Sequence, residues 1–144
     1  MVGIPDGTGA WDDEDDEDTE DRWEDRDRGR DDSKTVFNFV NNHELGKTSG
    51  VPRAHGSKGA FVARWLIDRR TGKVLSGRDH LTSPNNVMTW NGLTYVPGTT
   101  TIDRLCSADL PKKSAFFQKG WKGTPHRIFL SGEETAPPNA DDHG

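Results

Sequence analysis

Ala60-Phe61-Val62-Ala63-Arg64-Trp65-Leu66-Ile67-Asp68-Arg69-Arg70-Thr71-Gly72-Lys73-Val74-Leu75-Ser76 decides the fold class. Phe61, Ala63, Trp65 and Ile67 fall at every second position with Arg64 turned the other way, the period of a half-buried strand. Arg69-Arg70-Thr71-Gly72 supplies a turn with Gly where a positive φ suits it, and Lys73 to Ser76 pairs back as the second strand of a hairpin. Upstream, Thr35 to Val40 repeats the alternation, with Phe37 and Phe39 on one face and Asn38 on the other. Downstream, Val87 to Trp90 and Leu93 to Val96 flank Asn91-Gly92, a hairpin signal because both residues tolerate left-handed dihedrals. Arg127 to Leu130 reads as one more short strand, and Met1 to Ala10, with three Gly and a Pro, as a loop or strand end. No segment carries a helical apolar stripe. The chain is therefore expected to be all-β. Strands every ten to fifteen residues suit a sandwich, a barrel or a propeller.

Composition narrows the function classes. The 144 residues fit one domain. Leu, Ile, Val and Phe number 26, about 18%, so the core must be lean. Residues 12–32 hold fourteen acidic and four basic side chains and none of those four apolar types, so the tract has net charge −10 while the rest has +5. Repulsion at such spacing, with little to bury, predicts a disordered acidic insertion over 11–33. No apolar run approaches the about 18 residues that span a bilayer, and the first residues lack the basic-then-apolar pattern of a signal peptide. A single cysteine, Cys106, excludes an internal disulfide and a paired-cysteine zinc site. An acidic chain is poor footing for duplex nucleic acid, so no nucleic-acid partner is expected.

Familiar motifs fail on inspection. Gly46-Lys47-Thr48 looks like the tail of a phosphate loop, but the required glycine five positions earlier is Asn41. An EF-hand starting at Asp12 needs Gly at its sixth position and finds Glu17. Two clusters survive: Asn42-His43-Glu44 after the Phe37/Phe39 strand, and Ser131-Gly132-Glu133-Glu134 after the Arg127–Leu130 strand. Both place oxygen donors at a strand end, where Asn42, Glu44, Glu133 and Glu134 suit a hard cation such as calcium. Arg53-Ala54-His55-Gly56 adds a guanidinium and an imidazole able to meet a phosphoryl oxygen.

In order along the chain stand Gly3-Ile4-Pro5-Asp6-Gly7, Asn42-His43-Glu44-Leu45, Gly50-Val51-Pro52-Arg53-Ala54-His55-Gly56, Gly59-Ala60-Phe61-Val62 with Trp65, and Leu130-Ser131-Gly132-Glu133-Glu134. This series resembles PhoX-type alkaline phosphatases, and more closely their uncharacterised phytase-like relatives. It covers nearly the whole chain outside the acidic block. The resemblance implies a secreted or periplasmic β-propeller whose central pocket holds calcium, and in the proven phosphatases also iron, for phosphoester hydrolysis. The family's Asn-His-Glu maps onto Asn42, His43 and Glu44 and its double Glu onto Glu133 and Glu134, with Asn42, Glu44, Glu133 and Glu134 expected at metals; beside them, Arg53 and His55, read from the residues alone, would meet the phosphoryl group of a small phosphoester substrate. In the proven phosphatases a metal-associated cysteine precedes the double Glu. Gly132 stands there, so iron loses its soft ligand and calcium is expected.

A six-bladed propeller of about 40 residues per blade needs about 240 residues. Outside 11–33 this chain offers about 121, two or three blades' worth. The expectation is the N-terminal part of a phosphatase-like propeller spanning 1–144, with a flexible tail over 136–144. Its unclosed sheet edges would invite self-association, and alone it would be inactive. The alternative is a non-catalytic calcium-binding or adhesive β module.

Overall fold

Phe61–Asp68 forms a strand, β3, at the middle of the main sheet of the computed structural model, which describes residues 3–12, 35–118 and 122–134. Its C-terminal turn is the one the sequence predicts. Asp68 accepts from the backbone N–H and hydroxyl of Thr71, both at 2.7 Å, and Gly72 takes φ +68°. The chain returns as β4, Val74–Asp79. On the other side lies β2, Val36–Glu44, paired antiparallel from Val36↔Asp68 to His43↔Phe61. Beyond it is β1, Ile4–Trp11. The order β1-β2-β3-β4 is thus a plain antiparallel meander.

Three two-stranded ribbons complete the fold: β5 (Met88–Trp90) with β6 (Tyr95–Pro97), β7 (Leu105–Asp109) with β10 (Leu130–Glu133), and β8 (Phe117–Gln118) with β9 (Lys122–Gly123). Among the described residues there is no α-helix, only two three-residue 3₁₀ turns at Pro84–Asn86 and Lys113–Ala115. The all-β expectation holds, and among the described residues no sheet closes on itself. Among the described residues no helix is long and apolar enough to cross a membrane. The disorder expected of the acidic insertion, from residue 13 onward, and the flexible tail expected over 136–144 lie outside the described residues.

Four local expectations need correction. Residues 4–11 are a whole strand, neither the loop nor the mere strand end expected, and their glycines are there for space: a Cβ on Gly7 would strike the backbone and Cβ of Ala108, and one on Gly9 would come within 2.6 Å of Leu110 Cβ. β2 runs on through Asn42, His43 and Glu44, which therefore alternate between faces instead of opening into a loop. The last strand begins at Leu130, three residues later than the apolar pattern suggests, so Ser131, Gly132 and Glu133 are strand residues. Asn91-Gly92 does mark a hairpin, but its loop has four residues. Trp90 pairs with Tyr95, and the Asn91 side chain accepts from the N–H groups of Leu93 and Thr94 at 3.0 and 2.9 Å.

The core is small, as the composition demands. Trp11, Val40, Ala60, Val62 and Leu105 cluster on one face of the sheet, joined by Ile102, Leu110 and Phe129 from the segments that cover it. Buried polar groups are held by specific bonds: Arg64 Nε donates to Asn38 Oδ1 at 3.0 Å, and Trp65 Nε1 to Asn41 Oδ1 at 2.7 Å. Asn42, fully buried, donates to Ser107 O and accepts from Ser131 Oγ, both at 3.0 Å. That carboxamide ties β7 and β10 onto the face of β2.

Candidate metal centre

Two β-bulges and two strand ends build the site. The β1–β2 register runs from Pro5↔His43 to Thr8↔Asn41, so Asp6 and Gly7 together face Asn42. The β10–β7 register runs from Gly132↔Ser107 to Glu133↔Leu105, which leaves Cys106 as the extra residue. A bulge re-aims the side chain it carries. Here both turn toward the end of β2: one donor atom each from Asp6, Glu44 and Cys106 lies within 4.8 Å of the others. Glu134, just past the end of β10, accepts from Cys106 Sγ at 3.0 Å.

The electrostatics are lopsided. Three carboxylates gather around one thiol, with the Arg104 guanidinium 3.0 Å from Glu134 Oε2. The Cys106 thiol is pushed up to about 12, first by its hydrogen bond to Glu134, then by desolvation and by Glu44. The same thiol and then Arg104 hold the Glu134 carboxyl below its usual range. Arg104 itself sits at φ +37°, the only non-glycine residue with positive φ among those described. Its N–H donates to Leu45 O and its carbonyl accepts from Glu134 N, which locks the ends of β2 and β10 to each other. A left-handed conformation of this kind costs about 1–2 kcal/mol and persists where the surroundings enforce it.

The six residues named from sequence part company here. Glu44 and Glu134 meet at Cys106. Asn42 has both ends of its carboxamide engaged by serines of the covering ribbon. Glu133 Oε1 accepts from Asp103 N at 2.6 Å, and Asp103 in turn accepts from Lys47 N at 2.9 Å, so Glu133 braces two loops. Arg53 and His55 belong to the opposite face of the sheet. The Arg53 guanidinium lies 3.9 Å above the Phe61 ring, and Phe61 stacks on its cross-strand neighbour His43. Asp79 at the end of β4 takes an ion pair from Arg53 and a 2.8 Å bond from Ala54 N. This clamp fastens the 46–60 loop over the aromatic face, and Gly56 at φ +97° closes its turn. Asp6 and Cys106 are donors that the strand-end pattern does not pick out. Pro-Asp-Gly inside a strand is a bulge signal, but nothing local to Cys106 announces its bulge.

His55 is 1% exposed and its Nε2 has no hydrogen-bond partner. Burial holds it below the usual imidazole range, with Asp79 opposing and Arg53 adding to the effect. Desolvation, then Arg64 and Arg78, lower His80 as well. Each imidazole is therefore easier to protonate in the unfolded chain. Stability is full above the unfolded pKa near 6.5 and declines as pH falls below it. A thermal melt series is expected to show a lower Tm at pH 5.5 than at pH 7.5, with a smaller pH dependence in His55→Gln.

Comparison with known protein families, curated proteins and solved structures gives no match to this chain.

Proposed function

We propose that this chain is a metal-binding β module of phosphoester-hydrolase type, whose donors are Asp6, Glu44, Cys106 and Glu134. The observation that supports it is the pair of bulges that deliver a carboxylate and a thiol from separate strands to the carboxylates of Glu44 and Glu134. Like charges gathered in this way repel unless a cation joins them. Three oxygens and one sulfur suit zinc or ferrous iron better than calcium, which takes six to eight oxygen ligands. Calcium, the expectation from sequence, rested on Asn42, Glu44, Glu133 and Glu134 together, and of these the Asn42 carboxamide and one Glu133 oxygen are engaged elsewhere. When bound, such a cation supplies a Lewis acid for a phosphoryl oxygen. The four-stranded meander is the unit from which propellers are assembled, which is the support for a partial propeller of two to three blades.

Binding without turnover is the expected behaviour of this polypeptide. Arg53, the cation named for developing charge, is paired with Asp79 on the far face of the sheet. Assays with p-nitrophenyl phosphate and zinc, ferrous iron or calcium are expected to match the metal-only blank. Metal-dependent hydrolysis that disappears in Glu134→Ala would contradict this reading. The adhesive alternative rests on the β5–β6 ribbon, which exposes Met88, Trp90, Leu93 and Tyr95 together, with the Trp90 and Tyr95 rings packed edge to face. Self-association through that ribbon or the β4 edge would appear as concentration-dependent mass in sedimentation.

A further inference from the structure

The β5–β6 ribbon turns through a four-residue loop, 91–94, and Asn91-Gly92 at its start is the one Asn-Gly pair in the 144 residues. Both residues are exposed. Asn91 N donates to Thr94 O at 3.1 Å, and the Asn91 carboxamide oxygen accepts from Leu93 N and Thr94 N at 3.0 and 2.9 Å. Gly92 N–H donates to no acceptor among the described residues, and nothing lies within 4 Å of where a Cβ on Gly92 would stand. We propose that Asn91 is a self-modification site, converted through a cyclic imide with Gly92 into an aspartyl or isoaspartyl residue.

Water is the only co-reactant. The Gly92 nitrogen loses its proton to solvent base and bonds to Asn91 Cγ, held next to it by the chain itself. The Cγ–Nδ2 bond then breaks, and the carboxamide nitrogen takes a proton from solvent and leaves as ammonia. Water next opens the five-membered ring at one of its two carbonyls. Addition at Cγ leaves an aspartyl residue, whereas addition at the backbone carbonyl leaves an isoaspartyl residue, in which the chain runs through the side-chain carbon. The balance is one water consumed and one ammonia released, with no change of oxidation state. None of the donors around Cys106 takes part, so the reaction is independent of metal loading.

Three features separate Asn91 from the other described asparagines. The first is the nucleophile. Glycine sets no Cβ beside the attacking nitrogen, and the Gly92 N–H is not spent on a hydrogen bond that its deprotonation would break. After Asn85 and Asn86, by contrast, the N–H groups of Asn86 and Val87 donate to Ser83 O and Pro84 O at 3.0 and 3.1 Å. The second is the electrophile. Negative charge develops on Oδ1 as Cγ becomes tetrahedral, and the Leu93 and Thr94 N–H groups already stand where an oxyanion hole would put its donors. The third is room. Asn38, Asn41 and Asn42 are at most 4% exposed in a strand flanked by β1 and β3, where the backbone has no freedom to close a ring, while the 91–94 loop is open to solvent. The product changes the ribbon as well: either form adds a carboxylate beside the exposed Trp90, Leu93 and Tyr95. The isoaspartyl form also lengthens the backbone by one carbon between Trp90 and Tyr95, whose rings pack edge to face.

The test is incubation of the full chain, below its melting temperature at pH 8, beside a free peptide spanning residues 89–96. Peptide mapping by mass spectrometry, ammonia release and enzymatic methylation of isoaspartate follow the conversion. The expected result is a mass gain of about 1 Da at Asn91, with isoaspartate at that position and one ammonia per converted chain. Because the loop leaves the nucleophile free and the carbonyl already polarised, the rate in the folded chain is expected to lie within about tenfold of the peptide's or above it. Gly92→Ala, whose methyl meets open space in the fold, is expected to convert at least about tenfold more slowly. Asn91→Asp is expected to release no ammonia from this loop. A folded chain that converts more than about tenfold more slowly than the peptide, a mass gain as fast at Asn85 or Asn86 as at Asn91, or a Gly92→Ala chain that converts at the unmodified rate would overturn the proposal.

Discussion

Changing Cys106 to Ser is expected to weaken zinc or ferrous-iron binding by at least about 100-fold, while calcium binding stays within about twofold. The reason is the softness of the sulfur. A thiolate contributes strongly to thiophilic cations and little to calcium, which selects for oxygen. Because the thiol is pushed up to about 12 by Glu134 and Glu44, the protein holds it protonated until a cation takes the proton's place. Loading is therefore expected to release a proton, seen as heat that varies with the ionisation enthalpy of the buffer. Competition against a chromophoric chelator measures the affinities. Equal loss of calcium and zinc binding in Cys106→Ser would mean that the substitution disturbed the strand and not the donor set.

Gly7→Ala is expected to be the most damaging single-methyl change in the described fold. Its Cβ would lie 2.5 Å from Ala108 Cβ and closer still to that residue's backbone nitrogen, so backbone meets backbone and no flexible side chain can yield. Overpacking of this kind costs about 3 kcal/mol, which for a domain of this size lowers Tm by about 10 °C. Gly72→Ala is the control. It has φ +68° but nothing within 4 Å, so only left-handed strain of about 1 kcal/mol is at stake. Gly7 also neighbours Asp6 in the bulge, so Gly7→Ala is expected to reduce metal affinity even at temperatures where the protein stays folded. Thermal melts and the same chelator competition check both effects. A Gly7→Ala protein as stable as Gly72→Ala would show that β1 and β7 are not in backbone contact.

Strands whose own residues carry the alternation are legible in the amino-acid sequence. β2 and β3 appear where Phe37, Phe39, Phe61 and Trp65 recur at period two, and the β3–β4 turn follows from Asp68, Thr71 and Gly72. What stays hidden depends on partners far along the chain. β1 looks like a loop because Gly7 and Gly9 read as breakers, whereas their missing side chains admit β7 and Leu110. The well-packed core lies on the face that holds Val40, Val62 and Trp11, and it includes the polar Asn38 and Asn42, so the aromatic stripe marks only the other face. Half the candidate donors, Glu44 and Glu134, are visible as strand-end carboxylates. Asp6 and Cys106 are not, because a bulge is a property of two paired strands and leaves no period in either one.

The most direct test is X-ray absorption at the zinc edge on full-length protein loaded with one equivalent of metal. A centre built from Asp6, Glu44, Cys106 and Glu134 predicts one sulfur at about 2.3 Å and oxygen neighbours at about 2.0–2.2 Å, with the sulfur shell lost in Cys106→Ser. An all-oxygen shell in the unmodified protein, or a spectrum that Cys106→Ser leaves unchanged, would contradict it.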